Sequence, residues 1–156
     1  MTENFIDASA VADRLVGHCM TRQLATATPY DTLAEAYSTM CLRGIRRLPV
    51  VEHGRLVGIL TRSDVLEAKP SEISHAEDAT TVIQRLDRIT VGLAMTRDPV
   101  SIYEIDTVGH AAELMLQHKV GGLPVLNARD ELVGVITESD VFRLVAEQWR
   151  AGNAGR

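Results

Sequence analysis

The chain has 156 residues, 46% of them apolar, with a formal net charge of −5 and a pI near 5.5. That is enough apolar material for one ordinary domain or two small packed units, and the acidic balance argues against general nucleic-acid binding. No apolar run reaches membrane-spanning length and no basic-then-apolar leader opens the chain, so the expectation is a cytoplasmic protein outside the membrane.

Residues 1–8 show no periodicity and read as a loose end or docking arm. Ser9 then caps an expected helix with Val11, Ala12, Leu15 and Cys19 on one side. Residues 24–27 read as a short strand stopped at Thr28-Pro29. Thr32 and Glu35 have the form of a capping box. The helix behind them carries Leu33, Ala36, Tyr37, Met40 and Cys41 as an apolar stripe, and Gly44 closes it. Cys19 and Cys41 are expected to be reduced core thiols. Leu48-Pro49-Val50-Val51, a turn at His53-Gly54 and residues 56–60 make a hairpin, after which Thr61 caps a helix through Val65, Leu66 and Ala68. The polar stretch 69–81, with Pro70, reads as a linker.

Beyond it the plan repeats. Val82, Ile83, Leu86 and Ile89 suggest a leading helix, and residues 100–103 a strand. Val108, Ala111, Ala112, Met115 and Leu116 repeat the five-residue stripe, and Gly121-Gly122 are expected to break that helix. Residues 123–126, a turn at 127–130 and residues 132–136 form the second hairpin, and Thr137 starts the last helix, through Val141, Leu144, Val145 and Trp149. Residues 56–65 and 132–141 are identical at seven of ten positions, and Met20-Thr21 returns as Met95-Thr96. Internal duplication of this kind fixes the architecture before any single residue is interpreted. The expected units are residues 8–68 and 82–148. Each is a leading helix followed by β-α-β-β-α, and each is too small to be stable alone by typical scaling.

Met-Thr before the first strand, Arg-Leu-Pro-Val, and Gly-x-x-Thr-x-Ser-Asp closing each copy together resemble the cystathionine-β-synthase (CBS) domain family as a tandem pair, over roughly residues 8–148. The resemblance implies an α/β (α+β) fold of two repeats packed sheet to sheet about a pseudo-twofold axis, with ligand clefts between them. It implies a regulatory module rather than an enzyme, with no obligatory cofactor. AMP, ADP, ATP or S-adenosylmethionine would be the ligand, a homodimer the assembly, and a separate chain the regulated partner. The competing reading is an interaction scaffold with empty clefts.

Thr61/Asp64 and Thr137/Asp140 are either helix caps alone or also ligand groups, since a carboxylate at a helix start suits a ribose diol and the helix end favours an anion. By resemblance, Asp64 and Asp140 take the ribose, Thr61 and Thr137 the ribose or phosphate, and Ser63 and Ser139 line the same pockets. By the same resemblance, Thr26, Ala27 and Thr28 in one copy, and Ser101, Ile102 and Tyr103 in the other, hold the base through backbone groups; otherwise they are ordinary strand residues. Tyr103 either stacks or packs. Val50 and Val125 are expected as apolar walls. Arg46 and Arg47 either reach a phosphate through charge-assisted bonds or are solvated, and Gly121-Gly122 replace them in the second copy. His18, His53, His75, His110 and His118 show no metal-ligand spacing, and no catalytic motif is present.

Overall fold

The computed structural model describes residues 8–68 and 79–154. In chain order the elements are α1 (Ala8–Ala12), α2 (Val16–Cys19), α3 (Leu33–Arg43), β1 (Arg47–Glu52), β2 (Arg55–Thr61), α4 (Arg62–Glu67), α5 (Ala79–Leu86), α6 (Val91–Ala94), β3 (Thr96–Arg97), β4 (Ile102–Tyr103), α7 (Val108–His118), β5 (Gly122–Leu126), β6 (Leu132–Thr137) and α8 (Glu138–Asn153). Residues 1–7 and most of the expected linker, 69–78, lie outside the described set, while residues 79–81 already belong to α5.

Two compact units result, and they do not coincide with the sequence repeats. The central unit is Ala25–Pro99; the terminal unit joins the residues up to Leu24 with those from Val100 on. Each copy's leading segment therefore folds with the other copy's hairpin. In the central unit, Leu33, Met40, Leu48, Val50, Leu60 and Val65 form a core with Leu86, Val91 and Met95 from the second leading segment. In the terminal unit, Val108, Met115, Leu123, Val125, Ile136 and Leu144 pack with Val11 and Val16 from the first.

Each unit is a three-stranded sheet with helices, in the orders β1-β2-β3 and β4-β5-β6. The expected strand at residues 24–27 is reduced to one parallel bridge, Ala27 to Val50, in the position that β4 holds against β5. Its counterpart at the opposite edge is reciprocal: β3 pairs antiparallel with β2, and Thr21 makes a single bridge to Val135 of β6. Both hairpins shift register at matching points, Val50/Val51 and Val125/Leu126.

The single leading helix expected over residues 9–19 is broken into α1 and α2. Its backbone has other partners: Val16 N–H donates to Asp106 O at 2.8 Å, Gly17 N–H to Glu104 O at 2.8 Å, and Val108 N–H to Arg14 O at 2.8 Å. The central unit repeats the clamp, with Val91 N–H to Asp31 O at 2.8 Å and Gly92 N–H to Pro29 O at 2.9 Å. Leu15, expected on the apolar side, is consequently exposed. The stripe of α7 is also narrower than five residues, because Leu116 is 79% exposed while Val108, Ala111 and Met115 are buried. The helix ends at His118 with Lys119 as a left-handed cap, and Gly122 already opens β5, so the glycine pair is not the break. Cys19 and Cys41 are free thiols as expected, but Cys19 is half-buried and Cys41 exposed, so neither is a core residue. Among the described residues no helix is long and apolar enough to cross a membrane.

Candidate functional site

Thr61 and Thr137 each end a hairpin in extended conformation and cap the helix that follows. In the central unit, Asp64 Oδ2 accepts from Thr61 N–H at 2.6 Å and from Thr61 Oγ1 at 2.7 Å. In the terminal unit, Asp140 Oδ2 accepts from Thr137 N–H at 2.8 Å and from Thr137 Oγ1 at 2.9 Å. Both pairs have the capping-box form, and in the central unit Asp64 N–H also donates to Thr61 Oγ1 at 3.2 Å. The carboxylates then diverge. Asp140 is 5% exposed and its Oδ1 also accepts from Arg143 of the same helix. Asp64 is half-buried, and among the described residues its Oδ1 has no protein donor.

The strand register brings the other expected residues to each cap. Arg47 lies opposite Thr61 on the β1–β2 ladder, and Arg46 O accepts from Arg62 N–H at 2.8 Å. In the terminal unit Gly122 lies opposite Thr137, and Gly121 O accepts from Glu138 N–H at 3.2 Å. Three residues further along β1 and β5, Val50 meets Ala27 and Val125 meets Ile102. At about 3.3 Å per residue, the cap and the edge residue are about 10 Å apart along the strand.

Ala27 spends its backbone groups on β1, through Ala27 N–H to Pro49 O at 3.0 Å and Val51 N–H to Ala27 O at 2.8 Å. Thr28 N–H and Oγ1 donate to Asp31, at 2.7 and 2.8 Å, and Tyr103 N–H donates to Asp106 at 2.9 Å. Successive residues of an extended chain alternate the side to which they present N–H and C=O, so Thr26 and Ser101 turn theirs away from the sheet. Among the described residues neither backbone has a hydrogen-bond partner.

Ser63 and Ser139 are exposed in the first turn of their helices, beside the caps. Tyr103 is 44% exposed, and its phenol donates to Asp130 Oδ1 at 2.8 Å, which ties the ring to the β5–β6 turn. The expectation for Val50 and Val125 requires correction. Both have 0% exposure and belong to the two cores, so their side chains offer no wall to a ligand. The side chains of Ala27 and Ile102 are likewise buried, leaving those residues only their backbone.

Sequence reasoning missed Arg143. Its spacing of three residues from Asp140 on a helix was the available signal, and many surface pairs share that spacing. Two cavities stand apart from the expected residues. One, of about 490 Å³, is lined by Arg14, His18, Cys19, Arg143, Leu144 and Glu147. Burial is the main cause that pushes the Cys19 thiol up from its ordinary value, so the thiol stays protonated near neutral pH. The other, of about 440 Å³, lies by Tyr30, Leu93 and Arg97. No group of three or more His, Cys, Asp or Glu residues that could hold a metal ion occurs among the described residues.

The family model described as the CBS domain matches residues 16–71 and 89–147, which is both copies. The chain belongs to the CBS domain family. A relative from Methanocaldococcus jannaschii, protein MJ1225, is 34% identical over 141 residues, covering 90% of this chain and 49% of its own. The chain thus spans about half the length of that relative. Among solved structures, the CBS domain pair of protein MJ0100, in complex with 5′-methylthioadenosine and S-adenosyl-L-methionine, is 28% identical with a TM-score of 0.72, covering 87% of this chain and 98% of that one. CBSX2, which is from Arabidopsis thaliana, in complex with AMP, is 27% identical with a TM-score of 0.72, again covering 87% and 98%. CBS pairs similar to this chain thus bind adenosine compounds.

Proposed function

We propose that this CBS pair senses an adenosine-containing ligand (AMP, ADP, ATP or S-adenosylmethionine) and modulates a separate partner protein without catalysing a reaction. The observation that carries the reading is the pairing, in each unit, of a capped aspartate with an unpartnered backbone edge about 10 Å away along the strand, a span suited to a nucleoside. Asp64 or Asp140 supplies acceptors for the ribose, Thr61 and Ser63 or Thr137 and Ser139 stand beside it, and Thr26 or Ser101 offers the edge groups a purine can pair with. Arg46 and Arg47 favour a phosphate in the central unit. Exposed Phe142, Val145 and Trp149 on one side of α8 support a homodimer. The working compartment is the cytoplasm.

Thermal denaturation with each ligand tests this. A ligand bound only by the native state raises the midpoint with concentration, by about 2.7 kcal/mol of added stability at one hundred times its Kd. At least one of the four is expected to do so, and Asp64→Ala and Asp140→Ala, made separately, to show which cap is used: the variant that loses the shift while its fold survives marks the ligand's carboxylate. Loss of the cap itself should cost only about 1 kcal/mol.

The scaffold reading has its own support, because both carboxylate oxygens of Asp140 already have protein donors. Flat midpoints with all four ligands at millimolar levels, alongside a dimer in sedimentation, would favour it. A 17 kDa species alone would remove the dimer from both readings.

A further inference from the structure

We infer that the two halves are not equivalent: a phosphorylated adenosine ligand binds at Asp64 alone, and Arg143 is a latch that keeps Asp140 from receiving a ribose. The inference rests on the adenosine reading above. A carboxylate offers about four lone-pair sites, and a ribose diol needs some of them open. At Asp64 the cap uses Oδ2 and leaves Oδ1 without a described donor. At Asp140 the same cap uses Oδ2, and the Arg143 guanidinium holds Oδ1.

That bond joins two charges across one helical turn, with the carboxylate buried and the arginine side chain exposed. A ribose arriving there must break a charge-assisted bond and leave a guanidinium without its partner. The residue that corresponds to Arg143 in the central unit is Glu67, which is exposed and cannot donate to Asp64. The phosphate end is biased the same way. The strand beside the central cap brings Arg46 and Arg47, whereas Gly121 and Gly122 stand beside the terminal cap. Ribose and phosphate recognition therefore coincide in one unit, and both are withheld in the other.

Isothermal titration with AMP decides the matter. The wild-type chain is expected to bind one AMP, and Asp64→Asn, which keeps an oxygen for the Thr61 cap, to abolish that heat. Arg143→Gln is expected to reveal a second, separate site. Glu67→Arg places the latch on Asp64 at an exposed position, so it avoids any folding cost from removing Arg143. It is expected to weaken AMP by about tenfold or more, the worth of one hydrogen bond to a charged group. Two sites in the wild type, unchanged binding in Asp64→Asn, or Glu67→Arg binding as the wild type does would each overturn the latch while leaving the adenosine reading intact. No heat from any folded variant, with no midpoint shift for any adenosine compound, would sink that reading and the latch with it.

Discussion

Lys119 and Gly44 occupy the same place in the two copies and the same left-handed conformation, with φ of 54° and 63°. Glycine enters that region freely, while a residue with a Cβ pays about 1–2 kcal/mol to be there. Lys119→Gly is therefore expected to stabilise the protein. The gain should be about 0.5–1 kcal/mol once the greater freedom of an unfolded glycine is subtracted, and a denaturant midpoint would record it. No local pattern announces a left-handed lysine, so the end of α7 was not legible in the sequence. Tyr103 gives a second expectation at this scale. Its hydrogen bond to Asp130, and then the charge of that carboxylate, raise the phenol above its ordinary value of 10.0. The folded state thus holds the proton more tightly than the unfolded chain. Whatever stability this link adds is intact below pH 10.0 and fades as pH rises through the folded value. Phenolate absorbance should show Asp130→Asn shifting one tyrosine titration downward.

Among the elements, the short ones matter most. Thr21 and β3 each add an edge to a hairpin, and each is preceded by a methionine that covers a glycine of the hairpin's second strand, Gly134 of β6 or Gly58 of β2. A Cβ built on Gly134 would collide with Met20 and stand 3.1 Å from Thr21 O; one on Gly58 would collide with Met95 and stand 3.0 Å from Thr96 O. Gly134→Ala and Gly58→Ala are expected to destabilise by about 1–3 kcal/mol, the ordinary cost of overpacking, measured by thermal or denaturant melts. A neutral result would mean that the methionine does not seat there. The hairpins, capping boxes and longer helices were legible because their causes are local: Pro49, Gly44, Thr32 with Glu35, and a regular apolar spacing. The break between α1 and α2 was not, because the groups that interrupt the helix, Glu104 O and Asp106 O, lie far along the chain. Of the candidate site, the caps were legible from Thr-x-x-Asp alone. That Val50 and Val125 face the core was hidden, since alternate strand residues share one composition when a strand is buried on both sides.

At the scale of the whole molecule, duplication was plain but its wiring was not. A leading segment with the same apolar spacing satisfies either hairpin, so periodicity cannot say which copy receives it. The structure gives each one to the other copy, and the chain crosses between units near Leu24 and again near Val100. Both units thereby depend on both halves of the sequence. A fragment from residue 79 onward retains α7, β5, β6 and α8 but loses Val11 and Val16 from their core, together with the edge at Thr21. Two buried side chains are worth about 1.5–3 kcal/mol each, against a total stability of about 5–15 kcal/mol for a typical domain. The complementary fragment loses Leu86, Val91, Met95 and β3 from the central unit. Each fragment alone is expected to show no cooperative melt by circular dichroism. A chain cut at a protease site engineered within residues 69–78 should behave differently. Its pieces still share two cores, so they are expected to elute together and melt in one transition, somewhat lower because association replaces a closed loop. Pieces that part on the column, each retaining its own cooperative transition, would mean that every repeat folds around its own leading segment.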